Sequence, residues 1–289
     1  MILLDRLDND LAGWLARTLV GPGLLHPVAF EAAFVAVVTS AAPDPDEAWF
    51  AFYRNTLAAL EGTARPGGTN AELAPVHARA AALTVGHDVV ELGSCFGFLS
   101  LRLAAAGHRV TAVDVSAGTA TLLARMAPRL GRRVAALAGD ACAVPLADGC
   151  ADTVLAVHLL EHLPEAAGDR VLAEMLRLAR RRVVIAVPYE KVPNAIWGHV
   201  RRFDHATLRA LGESSGHPFR VSDHHGGWLV IDRDQPSGAA CPDRVATTPS
   251  VAACRTAFGR EGSATVRAWR SCPPTGGGEA DGRGAAPPW

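Results

Sequence analysis

Surplus positive charge is missing from this sequence: 28 Lys and Arg face 29 Asp and Glu over 289 residues, a formal net charge of −1. With nothing left over to neutralise a phosphate backbone, nucleic acid is excluded as the default partner. Lysine is nearly absent, with Lys191 the only one; the arginine bias fits a GC-rich coding sequence and carries no functional reading. Long apolar runs are lacking as well. The longest near the start, Pro27 to Val38, contains Glu31 and falls short of the roughly 20 residues that span a bilayer, so no membrane insertion is expected. Met1-Ile2-Leu3-Leu4 runs at once into Asp5, Asp8 and Asp10, without the basic start and continuous apolar core of a secretory signal, and the expected location is cytoplasmic. Six cysteines include no Cys-x-x-Cys pair, which points to free thiols at Cys95, Cys142 and Cys150 and away from a disulfide framework or a cysteine metal cluster. What is present, 49% hydrophobic residues, suffices for an ordinary buried core.

Three zones follow along the chain. Residues 1–80 read as a helical extension: Trp49, Phe50, Phe52, Tyr53 and Leu57 recur at near-helical spacing between Glu47 and Glu61, after the breakers Pro43 and Pro45. Gly62 to Asn70 separates that helix from another through His77 to Leu83. The aromatic stripe serves either as packing against the core, the favoured reading, or as a lid. Residues 81–234 alternate β-branched apolar runs with Ala/Leu-rich runs, the signature of βαβ units and a parallel sheet. Strands are expected at 88–92, 109–114, 133–138, 153–157, 182–187, 219–223 and 228–232, the last two close enough to form an antiparallel edge pair. Helices are expected at 99–106, 119–130, 166–179 and 205–215. Residues 235–289 lose this periodicity and read as a low-complexity, disordered tail or as a stretch translated out of frame.

The most informative segment is Val89-Val90-Glu91-Leu92-Gly93-Ser94-Cys95-Phe96-Gly97-Phe98, an apolar strand ending in an acid and turning through glycines into a helix. Such a turn presents backbone N–H groups at the carboxyl edge of a sheet, where ligands bind in open α/β folds. A dinucleotide fingerprint would need Gly-x-Gly-x-x-Gly; here Cys95 replaces the second glycine, the spacing to Gly97 is wrong, and Glu91 would repel a pyrophosphate while attracting the amino group of a methionine moiety.

These residues resemble the class I methyltransferases that use S-adenosylmethionine, and the resemblance covers Asp88 to Asp232. It implies a Rossmann-like, doubly wound α/β fold with a mostly parallel seven-stranded sheet. It also implies S-adenosylmethionine as cofactor, Glu91 at its methionine end, and Gly93, Ser94, Cys95 and Gly97 in the turn beneath it, with Cys95 a departure from the commonest glycine. Asp114 ends a second strand 17 positions beyond Gly97, the placement of a carboxylate that accepts both ribose hydroxyls, with Val115 beside it; a helix N-cap is the alternative for Asp114. By the same resemblance Asp140 accepts from the adenine amino group, the Ala141 N–H meets the ring, His158 lies near the cofactor, and Glu161-His162 open the acceptor-facing loop.

Methyl transfer from a sulfonium is an in-line displacement in which the protein aligns a nucleophile and excludes water. A hydroxyl acceptor also needs a base, for which His162 and then His199 are the candidates. Arg201 and Arg202 are candidates, with Glu161, for an anionic or polyhydroxylated acceptor. One Glu-His pair falls short of a coordination set, so no metal is expected. Together with Trp197-Gly-His-Val-Arg-Arg-Phe203, the motifs are similar to those of the mycofactocin oligosaccharide methyltransferases, which implies O-methylation of a glycan or small-molecule hydroxyl. Two rivals stay open: a non-catalytic S-adenosylmethionine-binding regulatory or assembly protein, and a nicotinamide-dependent oxidoreductase.

Overall fold

A computed structural model describes residues 3–233. The expected disordered tail at 235–289 lies outside the described residues. At the centre is a seven-stranded sheet of β1 (Asp88–Leu92), β2 (Arg109–Asp114), β3 (Val134–Ala138), β4 (Ala151–Val157), β5 (Ala179–Val187), β6 (Phe219–Asp223) and β7 (Gly227–Asp232), in the order β3-β2-β1-β4-β5-β7-β6. The first five strands are parallel and β7 pairs antiparallel with β5 and β6. The order reverses between β1 and β4, which opens a crevice at their carboxyl ends.

Alternation explains why this sheet is buried on both faces. Val90, Leu92, Val154, Ala156, Val183 and Ile185 point into one core, whereas Val89, Leu155, Val157, Val184 and Ala186 point into the other. Helices α1 (Asp10–Leu15), α2 (Phe30–Thr39), α3 (Pro45–Ala58) and α4 (Thr69–Leu83) precede the sheet, and α5 (Phe98–Ala105), α6 (Ala117–Arg129), α7 (Glu165–Leu178) and α8 (His205–Ser214) alternate with its strands. No helix among the described residues is long and apolar enough to cross a membrane.

Three differences from the sequence reading have physical causes. Pro45 does not break α3 but starts it: Asp44 accepts the Asp46 N–H at 2.9 Å, and proline at the first helical position gives up an N–H that has no partner there anyway. Helix α4 begins at Thr69 rather than near His77 because it tolerates Pro75 within its second turn. Strands β4 and β5 begin earlier than their apolar runs, since Arg180 reaches Asp152 at 3.0 Å and Asp88 at 2.7 Å and so satisfies the polar residues of that edge.

Candidate active site

The turn from β1 into α5 lies at the crevice. Gly93 (φ +71°), Cys95 (φ +48°) and Gly97 (φ +73°) all occupy the left-handed region, and the Gly93 and Ser94 N–H groups donate to Val113 O at 2.8 and 3.0 Å, fastening the turn to β2. A Cβ on Gly93 would stand 2.7 Å from Leu159 Cδ1, and one on Gly97 2.4 Å from Leu123 Cδ2. The glycines are thus required by backbone conformation and by side chains packed behind them. Cys95 meets the first requirement at a cost of about 1–2 kcal/mol for an L-residue in that region. Cys95→Gly is therefore expected to raise stability by about 0.5–1 kcal/mol once the greater chain entropy of glycine is subtracted; a loss of stability in denaturant titration would show that the thiol packs usefully.

Asp114 ties this turn to the end of β2: one oxygen accepts the Cys95 N–H at 2.7 Å and the other the Ser116 N–H at 2.9 Å. Capping of α6 falls to Ser116, which accepts the Thr119 N–H at 3.3 Å, so the alternative role for Asp114 is taken by its neighbour. Glu91 is buried and accepts Ser100 Oγ–H at 2.5 Å; burial pushes its carboxyl up to about 7. Burial raises Asp114 too. A third carboxylate comes from α2, where burial and then Asp114 raise Glu31. Cys95 faces the cleft, yet protein surrounds it: burial, then Asp114, Glu91 and Glu31, push its thiol up to about 12. Glu31 had no signal in the sequence, because its distance from the turn is closed only by the fold of the N-terminal helices.

Those helices roof the turn with aromatic rings. Phe52 lies 5.4 Å from Phe96 and Tyr53 5.2 Å from Phe98, and Phe30 meets Trp197 edge-on at 5.7 Å. The stripe of α3 packs on the glycine turn itself, through Phe96 and Phe98. On the far side Gly139 N–H donates to Asp114 O at 2.9 Å, and Asp140 accepts the Cys142 N–H at 2.8 Å. Ala141 packs against the core beside it, while Val115 is exposed. Ser94 is buried within the turn.

Across the crevice β4 is followed by His158 (φ +55°), whose N–H donates to Ala186 O at 2.9 Å. A 3₁₀ turn, Leu160–His162, follows. Glu161 is 1% exposed, and neither carboxylate oxygen has a hydrogen-bond partner beyond a loose approach of its own N–H. Its carbonyl accepts the Val200 and Arg201 N–H groups at 2.8 and 3.1 Å, which draws the segment after β5 over the turn. The His162 and His199 rings thereby meet at 4.8 Å, nearly perpendicular. His199 Nδ1 is 2.8 Å from Glu190 Oε2, a partner that sequence reasoning missed because nothing in the local pattern marks it. Burial, then the neighbouring His199, holds the rings of His158 and His162 down to about 4, and burial pushes Glu161 up to about 8. Of the two expected acceptor arginines, Arg201 lays its guanidinium 4.6 Å from the Phe203 ring centre, and Arg202 is exposed.

The acids at this turn fit S-adenosylmethionine better than a dinucleotide: Asp114 bonded to the Cys95 amide and Glu91 buried at the end of β1 would repel a pyrophosphate, and they suit an ammonium and two hydroxyls. Residues 90–187 match a family model described as a methyltransferase domain. A demethylmenaquinone methyltransferase of Parafrankia sp. (strain EAN1pec) is 35% identical over 143 residues, 43% of this chain and 54% of that protein, so the chain spans about half the length of this curated relative. Among solved structures, magnesium protoporphyrin IX methyltransferase from Synechocystis PCC 6803 with bound SAH has a TM-score of 0.48 and 16% identity, covering 63% of this chain and 94% of that one. A SAM-dependent methyltransferase from Aquifex aeolicus has a TM-score of 0.47 and 18% identity, covering 61% and 96%. The matched segment runs from β1 through the end of β5 and includes the glycine turn, Asp114, Asp140 and the Glu161-His162 turn, so that it is over these residues that the chain is similar to the methyltransferase-domain family.

Proposed function

We propose that the protein transfers a methyl group from S-adenosylmethionine to a hydroxyl of a small molecule or glycan, with the mycofactocin oligosaccharide as the specific acceptor. The observation that carries the cofactor assignment is the glycine turn between β1 and α5, held by the Asp114 carboxylate on the Cys95 amide at 2.7 Å with Glu91 buried at the end of β1 beside it. When bound, the cofactor supplies an electrophilic methyl on a sulfonium. Asp114 accepts the ribose hydroxyls with the lone pairs that the Cys95 and Ser116 amides leave open, Glu91 receives the amino group, and Asp140 and Ala141 face the adenine. The α2–α3 roof excludes water. Deprotonation of the acceptor falls to the cluster of Glu161, His162 and His199, which stands across the crevice and supports a hydroxyl as the nucleophile. A second reading, a demethylated menaquinone acceptor, is favoured by the name of the curated relative.

Parallel calorimetric titrations with S-adenosylmethionine, S-adenosylhomocysteine and NAD test the cofactor: micromolar binding of the first two and none of NAD is expected, and NAD-only binding overturns the proposal. Labelled methyl donor offered with glycans and with demethylmenaquinone then separates the two acceptors. The same titrations check Glu91. With its carboxyl at about 7 in the free protein, capture of a cationic amino group requires loss of a proton below that pH. Affinity is expected to rise about tenfold from pH 6 to pH 8, and Glu91→Gln to flatten the curve. In the free protein the sign reverses: an acid raised from 4.5 to about 7 costs stability progressively as pH rises between those values. A pH-independent affinity in the wild type would remove Glu91 from the cofactor's amino end.

A further inference from the structure

We infer that Glu161, His162 and His199 form a binding site for a divalent transition-metal cation of the zinc type, with one coordination position left open to the acceptor. This deepens the reading above, resting on it for the chemistry but not for the binding. The sequence expectation of no metal was based on an isolated Glu-His pair; the fold adds a third donor from 37 positions beyond His162. One ligand atom from each of the three residues lies within 4.8 Å of the others. Tetrahedral zinc with ligands about 2.0–2.2 Å away needs them about 3.3–3.5 Å apart, so a shift of less than about an ångström by each side chain closes the set.

Two further observations point to an ion. Glu161 is 1% exposed with both oxygens unpartnered, and a buried carboxylate is otherwise costly to leave without compensation. Its ligand atom lies within 4.8 Å of those of His162 and His199, and its nearest other approach, Oε1 to His158 Nδ1 at 3.9 Å, is too long for a hydrogen bond. The second observation is the pairing of His199 Nδ1 with Glu190 Oε2 at 2.8 Å, while Glu190 is itself held by the Asn194 N–H at 3.1 Å. A carboxylate behind one ring nitrogen fixes the ring and leaves Nε2 as the donor, the usual support of a metal-bound histidine. The site is also pre-assembled, because the Val200 and Arg201 amides bind the Glu161 carbonyl and hold the two ligand-bearing segments together.

Two histidines and a glutamate suit a catalytic zinc-type ion and leave room for an oxygen ligand. An acceptor hydroxyl taking that position gives a lone pair to the cation and releases its proton to solvent. The cation, carried by His162 and His199, then does the work that either ring alone would do as a base.

The test uses the full chain, stripped with a chelator and titrated with Co²⁺ as the zinc stand-in, read by visible absorption and calorimetry. One Co²⁺ per chain with an oxygen- and nitrogen-ligated spectrum is expected. Glu161→Gln should weaken binding more than about 100-fold, and Glu190→Gln, which removes no ligand, by about 10–100-fold. Both variants should bind S-adenosylhomocysteine as the wild type does, which also certifies that they fold. No stoichiometric Co²⁺ uptake at millimolar concentration, a thiolate charge-transfer band, or equal affinity in the folded Glu161→Gln variant overturns the inference. If Co²⁺ binds as expected but S-adenosylhomocysteine does not bind the wild type, the metal site stands and the methyltransferase reading falls.

Discussion

Asp114→Ala is expected to weaken S-adenosylmethionine binding by about 100-fold while the protein stays folded. Two hydrogen bonds to an ionised carboxylate contribute about 1.5–3 kcal/mol each, and their loss is partly offset by water, which leaves a net effect of about 3 kcal/mol. A second contribution comes through the turn, since Asp114 holds the Cys95 amide at 2.7 Å and so steadies a left-handed residue that has no glycine's freedom. Folding tolerates the change because Ser116, not Asp114, caps α6, and Gly93 and Ser94 remain bonded to Val113. Asp114→Asn separates the contributions: an amide oxygen can still accept one backbone N–H, so a loss of affinity as large as that of alanine would assign the effect to charge-assisted contact with the ribose. Calorimetry that finds unchanged affinity in Asp114→Ala would refute the ribose role outright.

What the sequence discloses and what it hides follow from the range of the interactions. Strands β1, β2 and β6 are legible to the residue because each is a short run bounded by polar or turn residues, and their periodicity is local. Glu91, Gly93 and Gly97 are legible for the same reason: strand, acid and turn occupy one continuous stretch. The paired role of Asp114 is half legible, since its place at the end of β2 can be read but its bond to the Cys95 amide depends on two strands lying side by side. Glu31 and Glu190 are not legible at all. The first reaches the turn only because α2 crosses over it, and the second acquires meaning only when His199 turns toward it at 2.8 Å. The cluster of Glu161, His162 and His199 shows the same limit. Glu161 and His162 are adjacent in the chain, whereas His199 is brought in by two amides bonded to the Glu161 carbonyl, a long-range event that spacing does not encode. Arg201 shows the range again: its guanidinium lies 4.6 Å from the Phe203 ring centre, a contact two residues along the chain that the sequence pattern alone does not mark.

His162→Ala is expected to lower turnover by about 10²–10⁴-fold, the usual contribution of a positioned acid–base group or its equivalent, with S-adenosylmethionine affinity within about twofold of the wild type. The separation follows from geometry. Glu91 and Asp114, the carboxylates proposed for the cofactor, sit at the ends of β1 and β2, whereas His162 lies on the turn after β4, against His199 at 4.8 Å. Removal of the ring leaves the glycine turn and Asp114 untouched. His199→Ala should behave in the same way, and the double variant should be no slower than the slower single one, because two groups that act on one proton, or hold one ion, fail together. Additive losses would mean that the rings serve different steps. Wild-type turnover in either single variant, measured with labelled methyl donor at saturating acceptor, would take that ring out of the chemistry and leave the Glu161 cluster as a structural feature of the loop.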